Sequence, residues 1–159
     1  MVGSKEKMNP YVYRAKILRV VDGDTVDIDL DLGFGIVYAK QRVRLLGIDT
    51  PESRTRDLTE KFYGNLAKDF LKSLLVKGET YSLQTTLDKG KFGRILGDFL
   101  VDDDTKVETP EVSVNQIMLD NHHAVRYRGQ SKADVEIEHL QNREWLSENK
   151  GLHPPKSVL

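Results

Sequence analysis

The chain has 159 residues, 25 acidic against 24 basic side chains, a net charge of −1 and no cysteine. Disulfides, thiolate catalysis and cysteine-held zinc are therefore excluded, and no run approaches the roughly 18 apolar residues that a membrane span needs. Apolar residues make up 38% and charged residues 31%, which predicts one domain burying about two-thirds of its unfolded surface in a single core. With charge so balanced, a polyanion would have to be drawn by a local basic patch or a bound cation.

Residues 1–10 are polar and lack an apolar segment, so they read as a flexible leader and not as a signal peptide. Aromatic and β-branched residues then fill 11–21, predicting a strand, and Asp22-Gly23-Asp24 is a tight turn. Over 25–32 the alternation is strict, with Val26, Ile28, Leu30 and Leu32 on one face and Asp27, Asp29 and Asp31 on the other. Gly33-Phe34-Gly35 is a loop, and 37–48 returns as a strand or strand pair. Pro51 ends any central strand there and biases Thr50 toward extended backbone.

Leu58, Phe62, Leu66, Phe70 and Leu74 recur every four residues, widened by Ala67, Leu71 and Leu75. That is an amphipathic helix, capped by Asp57 with Glu60 three residues on and stopped at Lys77-Gly78. Residues 80–87 and 94–101 read as strands around a glycine-punctuated turn, and Asp102-Asp103-Asp104 as a solvated hairpin tip. A short helix to Asp120 starts at Val112 or Ser113, where Ser113 and Gln116 fit a capping box. Residues 122–129 are irregular and basic. Ser131 caps a last helix to about Glu148, with Ile137, Leu140 and Trp145 or Leu146 facing inward, and 149–159 reads as a flexible tail. One domain over 11–148 follows, with no repeat and no linker. About five strands and three helices give an α+β, mainly β class, and the strand count fits an OB-like barrel with packed helices.

The residues with chemistry are Asp22, Asp24, Arg44, Asp49, Thr50, Glu52 and Arg94. Carboxylates and a carbonyl together make an oxygen-only site for a hard cation. Two arginines bind a phosphate by forked hydrogen bonds, and a further carboxylate takes a proton from water. Taken alone, Asp49-Thr50-Pro51-Glu52 reads more readily as a helix start, with Thr50 as N-cap and Pro51 at the first helical position. Arg44 and Asp49 also have opposite parity on a regular strand, so both serve one site only if the chain bends near Gly47.

Three blocks in order, Val21-Asp22-Gly23-Asp24-Thr25-Val26, Arg44 through Glu52, and Lys91-Phe92-Gly93-Arg94, resemble the signature of the staphylococcal nuclease (thermonuclease) family. Glu60-Lys61-Phe62-Tyr63-Gly64 and Trp145 fit as well, so the likeness covers roughly residues 11–148. It implies a five-stranded OB barrel with three helices, and calcium-dependent hydrolysis of DNA and RNA that leaves 3′-phosphate ends. By resemblance, Asp24 and Asp49 ligate calcium through carboxylates and Thr50 through its carbonyl, with Asp22 supporting them. Glu52 is the general base or orients the water, and Arg44 and Arg94 clamp the phosphate. Secretion is typical of the family, yet with no signal peptide the expectation is a cytoplasmic or phage-encoded monomer with no membrane partner.

Other residues divide between two readings each. Tyr127, between Arg126 and Arg128, either stacks on a base or packs on the surface. Lys89 and Lys91 either hold a terminal phosphate or are simply solvated. The segment 27–41 is longer than the family's hairpin, and its Asp27, Asp29 and Asp31 read as a solvated face sooner than a second metal site. No EF-hand or phosphate-loop spacing is present, and His122, His123, His139 and His153 read as surface histidines. The rival to a nuclease is a non-catalytic module of the same fold that binds nucleic acid or protein. A structural OB-like domain is the third reading.

Overall fold

The structure, a computed structural model, describes residues 11–102 and 111–158. The expected leader, and Asp103 and Asp104 of the expected hairpin tip, lie outside them. In chain order the elements are β1 (Val12–Asp22), β2 (Thr25–Gly33), β3 (Ile36–Leu45), β4 (Ile48–Asp49), α1 (Leu58–Leu74), β5 (Thr80–Thr85) and β6 (Ile95–Asp102). They continue with β7 (Glu111–Ser113), α2 (Val114–Asp120), β8 (Val125–Arg126) and α3 (Lys132–Lys150). Antiparallel pairing runs β3-β2-β1-β5-β6, and β3 then meets β6 in parallel, with Val43 opposite Ile95 and Arg44 opposite Leu96. That last ladder closes five strands into a barrel, which with three helices is the OB-like α+β fold expected.

Alternation decides what fills the barrel. Ile17, Val26, Ile28, Val43, Leu83 and Phe99 are almost wholly buried, each stabilising the fold by roughly 1.5–3 kcal/mol. The alternation of β2 outruns the core, however. Leu32 is exposed and Phe34 fully so, because the β2–β3 hairpin projects beyond the barrel. Its three aspartates are acceptors: Asp27 for Arg42, Asp29 for the Lys40 amide at 2.8 Å, and Asp31 for the Gly33 amide at 2.8 Å.

Asp57 caps α1 as expected, accepting from the Thr59 and Glu60 amides. Its most buried face is Tyr63, Gly64, Ala67 and Leu71, with the expected Phe62, Leu66, Phe70 and Leu74 flanking that face and Leu58 exposed. Ser113 caps α2 by accepting the Gln116 amide. In α3 Leu146 faces inward as expected, but the rest of the stripe is rotated: Val135 and His139 are buried, while Ile137 and Leu140 are about half exposed. A polar residue held the inward position, so apolar periodicity chose the wrong stripe.

The segment after α3 also packs. Gly151 ends the helix in the left-handed conformation, the Leu152 carbonyl accepts the Tyr63 hydroxyl at 3.0 Å, and Pro154 is buried. Among the described residues, no helix is long and apolar enough to cross a membrane.

Candidate active site

The bend needed near Gly47 is present. β3 stops at Leu45, Gly47 takes φ +76°, a conformation glycine adopts without strain, and β4 restarts at Ile48. Three hydrogen bonds hold this turn: Leu46 amide to Gly97 carbonyl at 2.9 Å, Tyr127 amide to Gly47 carbonyl at 2.8 Å, and Asn115 Nδ2 to Leu46 carbonyl at 2.8 Å. The result turns Asp49 back toward Arg44. Arg44 Nη1 lies 3.3 Å from Asp24 Oδ2 and donates to the Leu45 and Ile48 carbonyls at 3.0 and 2.9 Å. Its Nη2 donates to Asp49 Oδ1 at 3.3 Å. One guanidinium thus gathers two aspartates that lie 25 residues apart along the chain.

Behind them, α1 carries the 50–53 segment. A Cβ on Gly64 would sit 2.2 Å from the Glu52 carbonyl oxygen, so only glycine admits this contact. Glu60 accepts the Glu52 amide at 3.1 Å instead of folding back on the helix cap. Thr50 is buried, and its amide donates to Asp24 Oδ2 at 3.2 Å. The Glu52 side chain is left exposed and lines an open cleft of about 570 Å³ with Asp49, Thr50, Glu60, Tyr127 and His139.

Burial raises the Asp24 pKa above the usual carboxylate range; Arg44 offsets this in part, while Asp49 and Asp22 add repulsion. Asp22 itself accepts the Gly23 amide at 3.0 Å. The donors suit a hard cation in kind, since Asp24, Asp49 and the Thr50 carbonyl are all oxygen, and Thr50 Oγ1 is buried without a partner. Among the described residues no three carboxylate or imidazole groups converge as a ready metal cage. Arg44 stands between the two aspartates instead.

Arg94 comes from elsewhere. It lies just before β6, two residues ahead of Leu96, the partner of Arg44 across the parallel ladder, and it does not line the cleft with Glu52. Its Nε donates to the Lys91 carbonyl at 3.3 Å, and its guanidinium lies 5.5 Å from the Phe92 ring centre. Lys91 is exposed, and Tyr127 is about half exposed at the cleft. Lys89 points to the projecting hairpin, donating to Tyr38 Oη at 2.6 Å and Gln41 Oε1 at 3.0 Å.

Three of the four histidines are packed, contrary to expectation. His122 stacks on Trp145 with ring centres 3.7 Å apart, and His123 lies 4.6 Å from Phe70, with burial holding its pKa down at about 4. His139 is buried on α3, its Nε2 2.7 Å from Asp49 Oδ2. It grips the carboxylate oxygen that Arg44 does not. Sequence reading missed His139, Glu60, Gly64 and Asn115 as parts of this site; the Glu60-to-Gly64 block was legible only as a likeness.

The family described as staphylococcal nuclease homologue matches residues 42–152. The Asp22–Asp24 turn precedes the matched stretch. The thermonuclease of Staphylococcus hyicus is 33% identical over 81 residues, 51% of this chain and 44% of that protein. That of Staphylococcus intermedius is 36% identical over 80 residues, 50% of this chain and 44% of the relative. Protein ParB of Escherichia coli is 30% identical over 123 residues, 76% of this chain and 60% of ParB. The chain thus spans under half the length of the two thermonucleases.

Proposed function

This chain belongs to the staphylococcal nuclease family, and we propose that it is a calcium-dependent endonuclease, acting as a monomer on DNA, RNA or both. The observation that carries this reading is the cluster in which Arg44 draws Asp24 and Asp49 together beside the cleft that Glu52 lines. Asp24, Asp49 and the Thr50 carbonyl would hold a divalent cation, with Asp22 behind them, and bound there it would supply Lewis-acid charge at the scissile phosphate. Glu52 takes a proton from the attacking water, its exposed carboxylate free to face the cleft. Arg44 and Arg94 donate to the phosphoryl oxygens as charge grows at phosphorus. The bond to the 5′ oxygen breaks, which leaves the phosphate on the 3′ end. Tyr127 lies against a base at the cleft, and Lys89 and Lys91 hold outer phosphates.

The test is cleavage of a fluorescent single-stranded oligonucleotide in calcium, in magnesium and in chelator. Calcium-dependent cutting is expected, and Glu52→Gln and Arg94→Ala should each reduce turnover by about 10²-fold or more without changing the fold. Normal turnover in purified Glu52→Gln overturns its role as base. One observation favours a second reading, a nuclease-like module that binds without cutting: Arg44 already satisfies both aspartates. Retained binding with no cutting in any metal selects it.

A further inference from the structure

A groove of about 500 Å³ lies between β1 and α1, and its charged lining is entirely basic: Arg19, Arg54, Lys68, Lys72 and Lys77. Its apolar floor includes Val20, Val21 and Leu75. In a chain where acids outnumber bases by one, five cations around one groove concentrate positive potential locally. Arg19 lies 3.6 Å from Asp27. Among the described residues, the side chains of Arg54, Lys68, Lys72 and Lys77 have no carboxylate within ion-pair distance. The helix carboxyl end accounts for Lys72 and Lys77 through its dipole, but not for Arg54 or Lys68.

Both ends of the site's own backbone lead into this groove. Val21 precedes Asp22, and Arg54 follows Ser53 and Glu52. Gly64 packs on the Glu52 backbone, and Lys68 and Lys72 follow one and two turns further along α1, about 12 Å in all. The geometry points to a phosphate-binding groove that takes the strand of a nucleic acid as it leaves the cleavage site, with Arg54, Lys68 and Lys72 as contacts. This rests on the nuclease reading for the site to which Asp22 and Glu52 belong. A concave groove lined by residues next in the chain to Asp22 and near Glu52 matches a single strand better than a membrane surface, which a flat or convex patch would meet.

The experiment uses the full chain carrying Glu52→Gln in chelator, so that nothing is cut. Anisotropy of a labelled single-stranded oligonucleotide is followed from about 50 to 200 mM salt. Combining Arg54→Gln, Lys68→Gln and Lys72→Gln should weaken binding about 10-fold or more and flatten the salt slope by about 2, at roughly 0.7 per phosphate for a single strand. With Glu52 and calcium restored, cleavage of a trinucleotide too short to enter the groove should keep its rate. An unchanged slope, or no binding by the parent, overturns the groove. Groove-dependent binding to anionic vesicles but not to oligonucleotide overturns it in favour of a membrane. Groove-dependent oligonucleotide binding with no cleavage by the native chain leaves the groove standing and removes only the hydrolase.

Discussion

Two arginine–aspartate pairs lie two positions apart on β3, facing β2, and burial gives them opposite characters. Arg42 meets Asp27 through two hydrogen bonds of 2.8 and 3.1 Å, with 46% of the arginine and 24% of the aspartate side chain exposed. Arg44 meets Asp24 at 3.3 Å, with 18% and 12% exposed. The hydrogen bond from Arg42 lowers the Asp27 pKa, whereas burial raises that of Asp24 despite Arg44. A partner alone does not settle a carboxylate; the water it has lost weighs more. The outer pair serves the hairpin. The inner pair holds charge at a cost in stability, as a site for cations and phosphates would.

Removing the arginines should separate the pairs most widely. Arg44→Ala leaves Asp24 buried beside Asp49 without their cation, so unfolding in urea should show a loss of about 3–5 kcal/mol. Its turnover should fall by about 10²–10³-fold. Arg42→Ala should cost about 1 kcal/mol or less and leave turnover alone. Equal losses from the two variants would end the distinction.

The inner pair also depends on a seat that the outer pair lacks. Gly64→Ala would drive a methyl group into the Glu52 carbonyl, costing about 1–3 kcal/mol as overpacking. Because that contact carries Glu52, turnover should fall as well, while the Asp27–Arg42 pair and the hairpin it ties stay intact. Full activity in Gly64→Ala would mean that α1 does not set the position of Glu52.

How much of this was legible follows the same divide. Most strands and the helix caps were readable because alternation and cap residues are local signals, as Ser113 and Asp57 illustrate, whereas closure of the barrel by the β3–β6 ladder came only from the family likeness. The convergence of Asp24, Arg44 and Asp49 was legible only as a family likeness and not from periodicity, since it depends on the bend at Gly47 and on Asn115, which lies 69 residues from Leu46. His139 was missed for a related reason. An imidazole among apolar positions gives no periodic signal, and its partner Asp49 lies 90 residues away. On α3 that same residue displaced the inward stripe from Ile137 and Leu140, so one hidden polar contact misled both the fold reading and the site reading.

The finest test replaces each aspartate by asparagine and follows stability against pH. Asp24 has a raised native pKa, so above the unfolded value of about 3.9 the native state holds more protons than the unfolded chain. Its contribution to stability therefore falls as pH rises through that window and remains unfavourable at neutrality. Asp24→Asn should stabilise the metal-free protein at pH 7 by roughly 0.5–2 kcal/mol, the range of single stabilising substitutions, and the gain should fade as pH falls toward 4. Asp27 has a lowered native pKa, so its stabilising contribution is complete above about 3.9 and is lost as pH drops through the native value. Asp27→Asn should therefore destabilise at pH 7, by about 0.2–1 kcal/mol given its exposure, and approach the parent only in stronger acid. The two difference curves should lie on opposite sides of zero at neutral pH. If Asp24→Asn were instead destabilising there, Arg44 would outweigh desolvation, and the inner pair would be an ordinary ion pair like the outer one.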